Sequence, residues 1–357
     1  MPDASGGAAF TALLFHSFGG PNQPADVRPF LENVTRGRGV PPERLEEVVD
    51  HYLHFGGVSP INRLNLDMIA ALQAELRTRG LDLPIYFGNR NWTPYVAEAI
   101  AQLQADGHRR ALVFPTSAWG GYSGCRQYHE DLAAGLSEVP GSAELVLRKL
   151  PQYWDRPGFV AAAADAVRRA QAQLGEGTPI RLVFTAHSIP IAADRTAGPP
   201  DGDGFLYSRQ VAAAAQQVAR ELGLDRFDLV WQSRSGPPEV PWLEPDICDH
   251  LEDLAEQGVG RVVVCPIGFI SDHLEVIWDL DSEAREVAEK LGMDYARADT
   301  VGTDPVFIAM IADLIQEYHA GDGDTQALGC ADNGSFCRPG CCQLPARPAR
   351  SGARSAG

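Results

Sequence analysis

The sequence predicts an α/β protein made of two doubly wound, parallel-sheet domains of the chelatase-like, Rossmann type, which face each other across a cleft. Short apolar runs rich in β-branched residues alternate with amphipathic stretches of helical length, and this alternation runs along the chain twice. A chain of 357 residues with 45% hydrophobic residues can fill two cores. We place the domains at 1–150 and 151–320, followed by a cysteine-bearing extension at 321–342 and a disordered tail at 343–357.

Seven strands are predicted, and five helical patterns lie between them. The strands are at 12–17, 84–89, 111–116 and 144–149 in the first half, and at 181–186, 228–233 and 261–267 in the second. The helices are at 62–79, 94–106, 158–174, 207–222 and 274–291. Ligands are expected beyond the carboxyl ends of the strands, because open parallel sheets bind them there.

The charge of the chain argues against two classes of partner. Thirty Lys and Arg residues against 47 Asp and Glu give a net charge of −17. Nucleic acid or an anionic membrane would therefore meet net repulsion. No apolar run approaches the roughly 20 residues of a membrane span, and the first ten residues lack the features of a signal peptide. We therefore predict a cytoplasmic enzyme without an integral membrane segment.

An acidic row is the most informative local pattern. In the helical segment after His273, three carboxylates recur every four residues, at Glu275, Asp279 and Glu283. Residues at this spacing share one helix face, where like charges repel. Oxygen ligands ending beside an imidazole favour a path for a cation such as Fe(II). A solvated acidic face is the alternative.

His187 is the second candidate, at the end of the strand pattern VFTAH. A histidine there is either a structural residue or a functional one at the ligand-binding edge of the sheet. If the cleft brings His187 opposite Glu275, the two side chains can flank a flat ligand and handle protons or metal.

The glycine-bearing loops at 17–21 and 55–60 match neither GxGxxG nor the P-loop, which weakens a nucleotide-binding interpretation. Aromatic residues near these loops can line a pocket for a broad π-system. Four arginines can pair with the carboxylates of an acidic ligand, or lie on the surface without a functional role. They are Arg36, Arg38, Arg63 and Arg90.

Four of the seven cysteines crowd the end of the chain, at Cys330, Cys337, Cys341 and Cys342. In a cytosolic protein such crowding favours a metal centre over disulfides, and the absence of regular CxxC pairs favours an iron–sulfur cluster over zinc. Cys125 is the best fourth ligand from the body of the chain. A cysteine-rich tail without a cluster is the alternative.

Together these segments closely resemble the ferrochelatases, which insert Fe(II) into a porphyrin. The matching stretches are LLFHSFGGP, GGVSPIN, YFGNRNWTP, TAHSIP, WQSRSGPPEVPWLEPD and PIGFISDHLEVIWDLD. The resemblance implies that His187 and Glu275 face each other across the porphyrin as catalytic, metal-binding residues. It also implies that Asp279 and Glu283 pass iron inward.

The resemblance further indicates the branch that acts on coproporphyrin III, with protoporphyrin IX as the alternative substrate. It implies a [2Fe–2S] cluster on Cys125, Cys330, Cys337 and Cys342, with Cys341 as a competitor for the last position, and a transient contact with a coproheme decarboxylase. Ser59 and Tyr128 match substrate contacts, and we add Phe18, Tyr52, Arg36, Arg38 and Arg90. Phe18 stands where some relatives have an iron-ligating tyrosine, and Thr35 replaces an arginine that those relatives use.

Two rivals remain open. A nucleotide-dependent transferase is disfavoured by the missing phosphate loop. A non-enzymatic tetrapyrrole or iron carrier needs the cleft and the acidic row but no base.

Overall fold

The computed structural model describes residues 8–37, 40–236 and 239–345, and it contains two parallel sheets of the same strand order. The first sheet has the order β2-β1-β3-β4 with a ninth strand added at its edge, and the second has the order β6-β5-β7-β8. The strands are β1 Ala12–Ser17, β2 Ile85–Asn89, β3 Arg110–Pro115, β4 Val146–Lys149, β5 Arg181–His187, β6 Asp228–Gln232, β7 Arg261–Cys265, β8 Asp294–Arg297 and β9 Ala331–Asp332. The predicted doubly wound α/β fold is confirmed.

Helices cover both faces of each sheet. They are α1 Val27–Thr35, α2 Pro42–His54, α3 Ile61–Thr78, α4 Val96–Ala105, α5 Gln127–Glu138, α6 Pro157–Leu174, α7 Ile191–Arg195, α8 Leu206–Glu221, α9 Ile247–Glu256, α10 Leu274–Ile277, α11 Ala284–Lys290 and α12 Pro305–His319. Within the described residues, none of them is both long and apolar enough to cross a bilayer.

The central strands read as unbroken apolar runs because both of their faces are covered. In β1, Ala12 and Leu14 pack with residues of α4 and α5, while Leu13 and Phe15 face the main core. That main core also contains Phe184 of the second sheet, so one continuous apolar interior joins the two halves. The predicted division at residue 150 remains a prediction.

The extension after α12 is attached to both halves. Its strand β9 pairs antiparallel with β4, and Arg148 donates two hydrogen bonds to Asp332 at 2.8 and 2.9 Å. Farther along, the backbone N–H of Cys342 donates to Gly198 O in the second half at 2.8 Å. The predicted tail at 343–357 lies outside the described residues from 346 onward.

One predicted helix differs in detail. The segment predicted at 274–291 is a continuous helical stretch, but residues Trp278–Glu283 form a π-helical turn between α10 and α11. π-Helical turns are rare and concentrate at functional sites. This turn carries Asp279 and ends at Glu283, two members of the predicted acidic row.

Candidate functional site

His187 is the last residue of β5 and lies at the carboxyl edge of the second sheet. Its ring Nδ1 lies 2.5 Å from Ser188 O, and the Tyr207 hydroxyl donates to His187 O at 2.9 Å. A carbonyl oxygen only accepts, so Nδ1 carries the hydrogen in this contact. The neutral imidazole therefore has its lone pair on Nε2.

Glu275 lies in the first turn of α10, a helix that His273 caps from its N-terminal side. Glu275 Oε1 is 3.8 Å from His187 Nε2, and the two side chains are 43% and 35% exposed. The fold thus brings together two residues 88 positions apart and leaves both accessible from the cleft. The two side chains are adjacent, and their predicted roles on either side of a porphyrin remain a prediction.

Asp279 lies behind this pair and is buried. It accepts hydrogen bonds from Gln232 Nε2 at 3.1 Å and from the Ser233 hydroxyl, and Gln232 is itself oriented by Thr185. Burial raises the pKa of Asp279 to about 8, and the negative charge of Glu275 adds to the effect. Ser233 is in the left-handed region with φ of 62°, an uncommon conformation for a residue with a side chain.

The outer member of the row, Glu283, is exposed. Beside it, α2 of the first half closes over the π-helical turn, where the rings of His51 and Trp278 stack with centroids 3.9 Å apart. The three carboxylates therefore run from solvent through a buried position to the cleft. This graded burial is not that of a uniformly solvated face.

Arg297 on β8 holds the site from behind, and nothing in the sequence pointed to it. It donates to Asp272 at 3.0 and 3.1 Å and to Asp281 at 2.9 Å. Asp272 precedes the helix that bears Glu275, and Asp281 belongs to the turn that bears Asp279. One part-buried guanidinium thus fixes the two segments relative to each other.

Three of the predicted substrate residues lie in the first half near this site. Phe18 follows β1 and packs edge-on against Phe30 with ring centroids 6.3 Å apart. Tyr52 lies on α2, where burial and the negative charges of Glu275 and Asp279 raise its pKa well above the usual range. Ser59 is buried and its N–H donates to Pro21 O at 2.9 Å.

The predicted arginines and Tyr128 differ in their exposure and in their partners. Arg36 is exposed, Arg63 pairs with Asp67 at 3.1 Å, and Arg38 lies outside the described residues. Arg90 is buried, donates to Asp131 at 2.6 Å and covers the ring of Tyr128 at 4.4 Å. Tyr128 is also buried, so these two residues support the cleft wall from beneath.

The five predicted cluster cysteines lie around the end of β4. Cys125 is on a π-helical turn before α5, and Cys330 precedes β9. Cys341 Sγ and Cys342 Sγ are 3.6 Å apart, and a hydrogen bond links Cys341 to Cys337. All are buried except Cys337, which is half-buried. In the described residues, no group of three or more His, Cys, Asp or Glu donors has metal-binding geometry.

The thiols of these cysteines differ in pKa. Hydrogen bonding from Cys341 lowers the pKa of Cys337 to about 6 and that of Cys342 to about 7. The same two neighbours raise the pKa of Cys341 strongly. Burial raises the pKa of Cys330 to about 11, against the nearby positive charges of Arg148 and Lys149.

The paired sheets and the His–carboxylate pair at an open sheet edge define an α/β protein of the chelatase class. The ferrochelatase family model matches residues 10–319, and the chain belongs to the ferrochelatase family. A coproporphyrin III ferrochelatase of Nocardia farcinica is 59% identical over 96% of this chain and 99% of its own length. That of Mycolicibacterium vanbaalenii is 54% identical, over 92% and 98% respectively.

Among solved structures, SirB from Bacillus subtilis with Fe3+ is similar in fold. It covers 87% of this chain and 95% of its own, with a TM-score of 0.50 and 13% sequence identity. At that identity the likeness supports the fold alone.

Proposed function

We propose that this protein is a ferrochelatase that inserts Fe(II) into coproporphyrin III to give iron-coproporphyrin III. The observation that carries the proposal is the His187–Glu275 pair, with nitrogen and oxygen 3.8 Å apart, both partly exposed at the carboxyl edge of a sheet. The relatives described above, with 59% and 54% identity over nearly the whole chain, supply the substrate.

In the proposed reaction, Fe(II) replaces two pyrrole protons of the macrocycle. His187 accepts one of these protons at Nε2, the nitrogen left bare because Nδ1–H is directed at Ser188 O, and the second proton passes to solvent water, which reaches the partly exposed pair. Glu275 binds the arriving Fe(II) beside His187, since its Oε1 lies 3.8 Å from that nitrogen. Apolar walls of the cleft hold the macrocycle bent, which directs the pyrrole lone pairs at the ion.

Glu283 and Asp279 form the proposed iron path. Glu283 is exposed and meets the ion first, and Asp279 is buried between it and Glu275. Oxygen ligands in series suit transfer of a hard or borderline cation, since no single site holds it tightly. Iron is here the substrate of the reaction.

The test is turnover of coproporphyrin III and protoporphyrin IX, side by side, by purified protein with Fe(II) under exclusion of oxygen. We expect faster insertion into coproporphyrin III, whose two extra propionates can meet exposed cationic groups of the first half such as Arg36. Equal or better rates with protoporphyrin IX would reassign the substrate. Tight binding without turnover would make the protein a carrier.

We also propose a [2Fe–2S] cluster held by Cys125, Cys330, Cys337 and Cys342. Two features of the pocket fit such a group. Burial raises the pKa of Cys125, and Cys342 and Cys337 lie near enough for their charges to raise it further, while Cys125 and Cys330 share the neighbouring cation Lys149. The cluster would tie the extension to the body of the protein.

Cys342 is the preferred fourth ligand over Cys341. Its Sγ accepts the Gly198 N–H at 3.3 Å and its pKa is lowered, whereas the pKa of Cys341 is raised. Iron and acid-labile sulfide are measured in Cys→Ser variants prepared without oxygen. We expect loss of both with Cys125, Cys330, Cys337 or Cys342 replaced and retention with Cys341→Ser. Loss of iron and sulfide in Cys341→Ser, with retention in Cys342→Ser, would make Cys341 the fourth ligand.

Two further predictions complete the proposal. A cytoplasmic location is the first, and fractionation of cells tests it. The second is a transient contact with a coproheme decarboxylase, an enzyme that would consume the product. Cross-linking of the two purified proteins tests this contact.

A further inference from the structure

The two lysines of the chain have opposite surroundings. Lys290 lies on the surface, with its side chain 73% exposed and its Nζ 3.5 Å from Glu286. Lys149 is the last residue of β4 and is 1% exposed. A lysine is almost never buried to this degree unless an anion is nearby.

Lys149 has two contacts, and neither is with an anion. Its Nζ donates to Gly329 O at 2.8 Å and lies 3.6 Å from Cys125 Sγ. Within the described parts of the chain, no carboxylate lies within 4.0 Å of this nitrogen. His129 beside it is neutral, because burial and the charge of Lys149 lower its pKa to about 2.

A buried ammonium without an anion is costly, so its position needs a reason. The groups around it are the cysteines. Cys125 Sγ contacts Lys149 Nζ directly, and Gly329, whose carbonyl accepts from the same nitrogen, immediately precedes Cys330. Two of the four proposed ligands therefore adjoin this cation.

We propose that Lys149 is the countercharge of the cysteine site, a positioning residue that neutralises part of the negative charge of a centre held by four thiolates. This inference rests on the proposed cluster. Four thiolates on an oxidised [2Fe–2S] core give a net charge of −2, and one electron from an added reductant makes it −3. A fixed cation stabilises both states in a low dielectric and the reduced state more.

The experiment compares Lys149→Met and Lys149→Gln with the wild type, and uses Lys290→Met as the matched control. Gln keeps a donor for Gly329 O without the charge, which separates the charge from the hydrogen bond. Each protein is purified without oxygen, and its iron and sulfide are measured. Its reduction is then followed by visible absorption during a redox titration.

We expect both neutral variants to reduce less readily, by at least about tenfold in the reduced-to-oxidised ratio at a fixed potential, which is about 59 mV for one electron. Their clusters should also be lost faster to a chelator. In the cluster-free forms, the effect of the substitution on stability should have the opposite sign. Lys149→Met then removes a buried charge that no cluster neutralises, and it should raise the urea concentration at the midpoint of unfolding.

The outcomes separate the two proposals. Wild-type protein that takes up no iron and sulfide overturns the cluster, and the countercharge with it. A wild-type cluster whose potential and rate of loss are unchanged in both neutral variants overturns the role of Lys149 alone. Equal effects of Lys290→Met would show that the response reflects net charge and not this position.

Discussion

The two halves of the molecule each carry a histidine next to a carboxylate at the end of the central strand, yet only one pair is open. In the first half His16 of β1 is followed by Ser17, and in the second half His187 of β5 is followed by Ser188. His16 Nε2 is 3.5 Å from Asp131, and His187 Nε2 is 3.8 Å from Glu275. The same local pattern therefore occurs at equivalent places of two sheets with the same strand order.

The difference lies in what covers each pair. His16 is fully buried beneath Tyr128, and the guanidinium of Arg90 occupies the cation position beside Asp131 at 2.6 Å. Burial and the charges of Arg90 and Lys149 lower the pKa of His16 well below its usual range. The pair of the second half keeps access to the cleft. A sequence pattern thus supplies a site only where the fold leaves it open to a ligand and without a built-in cation.

The largest effect expected from this comparison is at the open pair. His187→Ala should reduce metal insertion by about 10²–10⁴-fold, the usual contribution of a general base, and Glu275→Gln should act similarly. Porphyrin binding, followed by fluorescence quenching, should change little because apolar walls hold the macrocycle. Near-normal turnover in His187→Ala would remove this residue from the mechanism.

The second prediction concerns how an open pair stays in place. Arg297→Met removes the hydrogen bonds to the part-buried carboxylates of Asp272 and Asp281 and should cost about 1.5–3 kcal/mol in urea unfolding. It should also raise the KM for Fe(II) more than that for porphyrin, because the segments bearing Glu275 and Asp279 lose their common anchor.

Arg285→Met is the matched control, because Arg285 contacts the same Asp281 from a more exposed position at 3.6 Å. Its effect should stay below about 1 kcal/mol. Equal losses in the two variants, or an unchanged KM for Fe(II) in Arg297→Met, would contradict the anchoring role.

The third prediction is that the closed pair supports the fold and not the chemistry. His16→Ala should cost about 2–4 kcal/mol of stability, like other large-to-alanine replacements in a core. Turnover per folded molecule should stay near the wild-type value, with folded protein quantified by circular dichroism at the assay temperature. A selective loss of turnover in stable His16→Ala protein would place catalytic function in the first half as well.

Much of this arrangement was predictable from the sequence, and what was missed has a physical reason. Seven of the nine described strands were predicted within about two residues, because burial on both faces leaves unbroken apolar runs. β8 and β9 were missed because they are only four and two residues long, and the four residues of β8, DYAR, include two charged side chains. The acidic row was predictable from spacing within one helix. Arg297 and Lys149 act through partners distant in sequence or through buried charge, and no local pattern marks either.

The last prediction concerns the pH dependence of stability. The folded-state pKa of Asp279 is about 8, against an ordinary value of 3.8, so the folded protein holds this proton over a range where the unfolded chain has lost it. Stability contributed by the protonated form is therefore lost as pH rises from about 4 to about 8, by up to about 1.4 kcal/mol per pH unit. Asp279→Asn cannot ionise and should flatten this slope, measured as urea midpoints between pH 6 and 7.5. Glu283→Gln, at the exposed end of the same row, should keep the wild-type slope. Identical slopes in wild type and Asp279→Asn would show that Asp279 is ionised in the folded protein and that its burial is compensated by a cation.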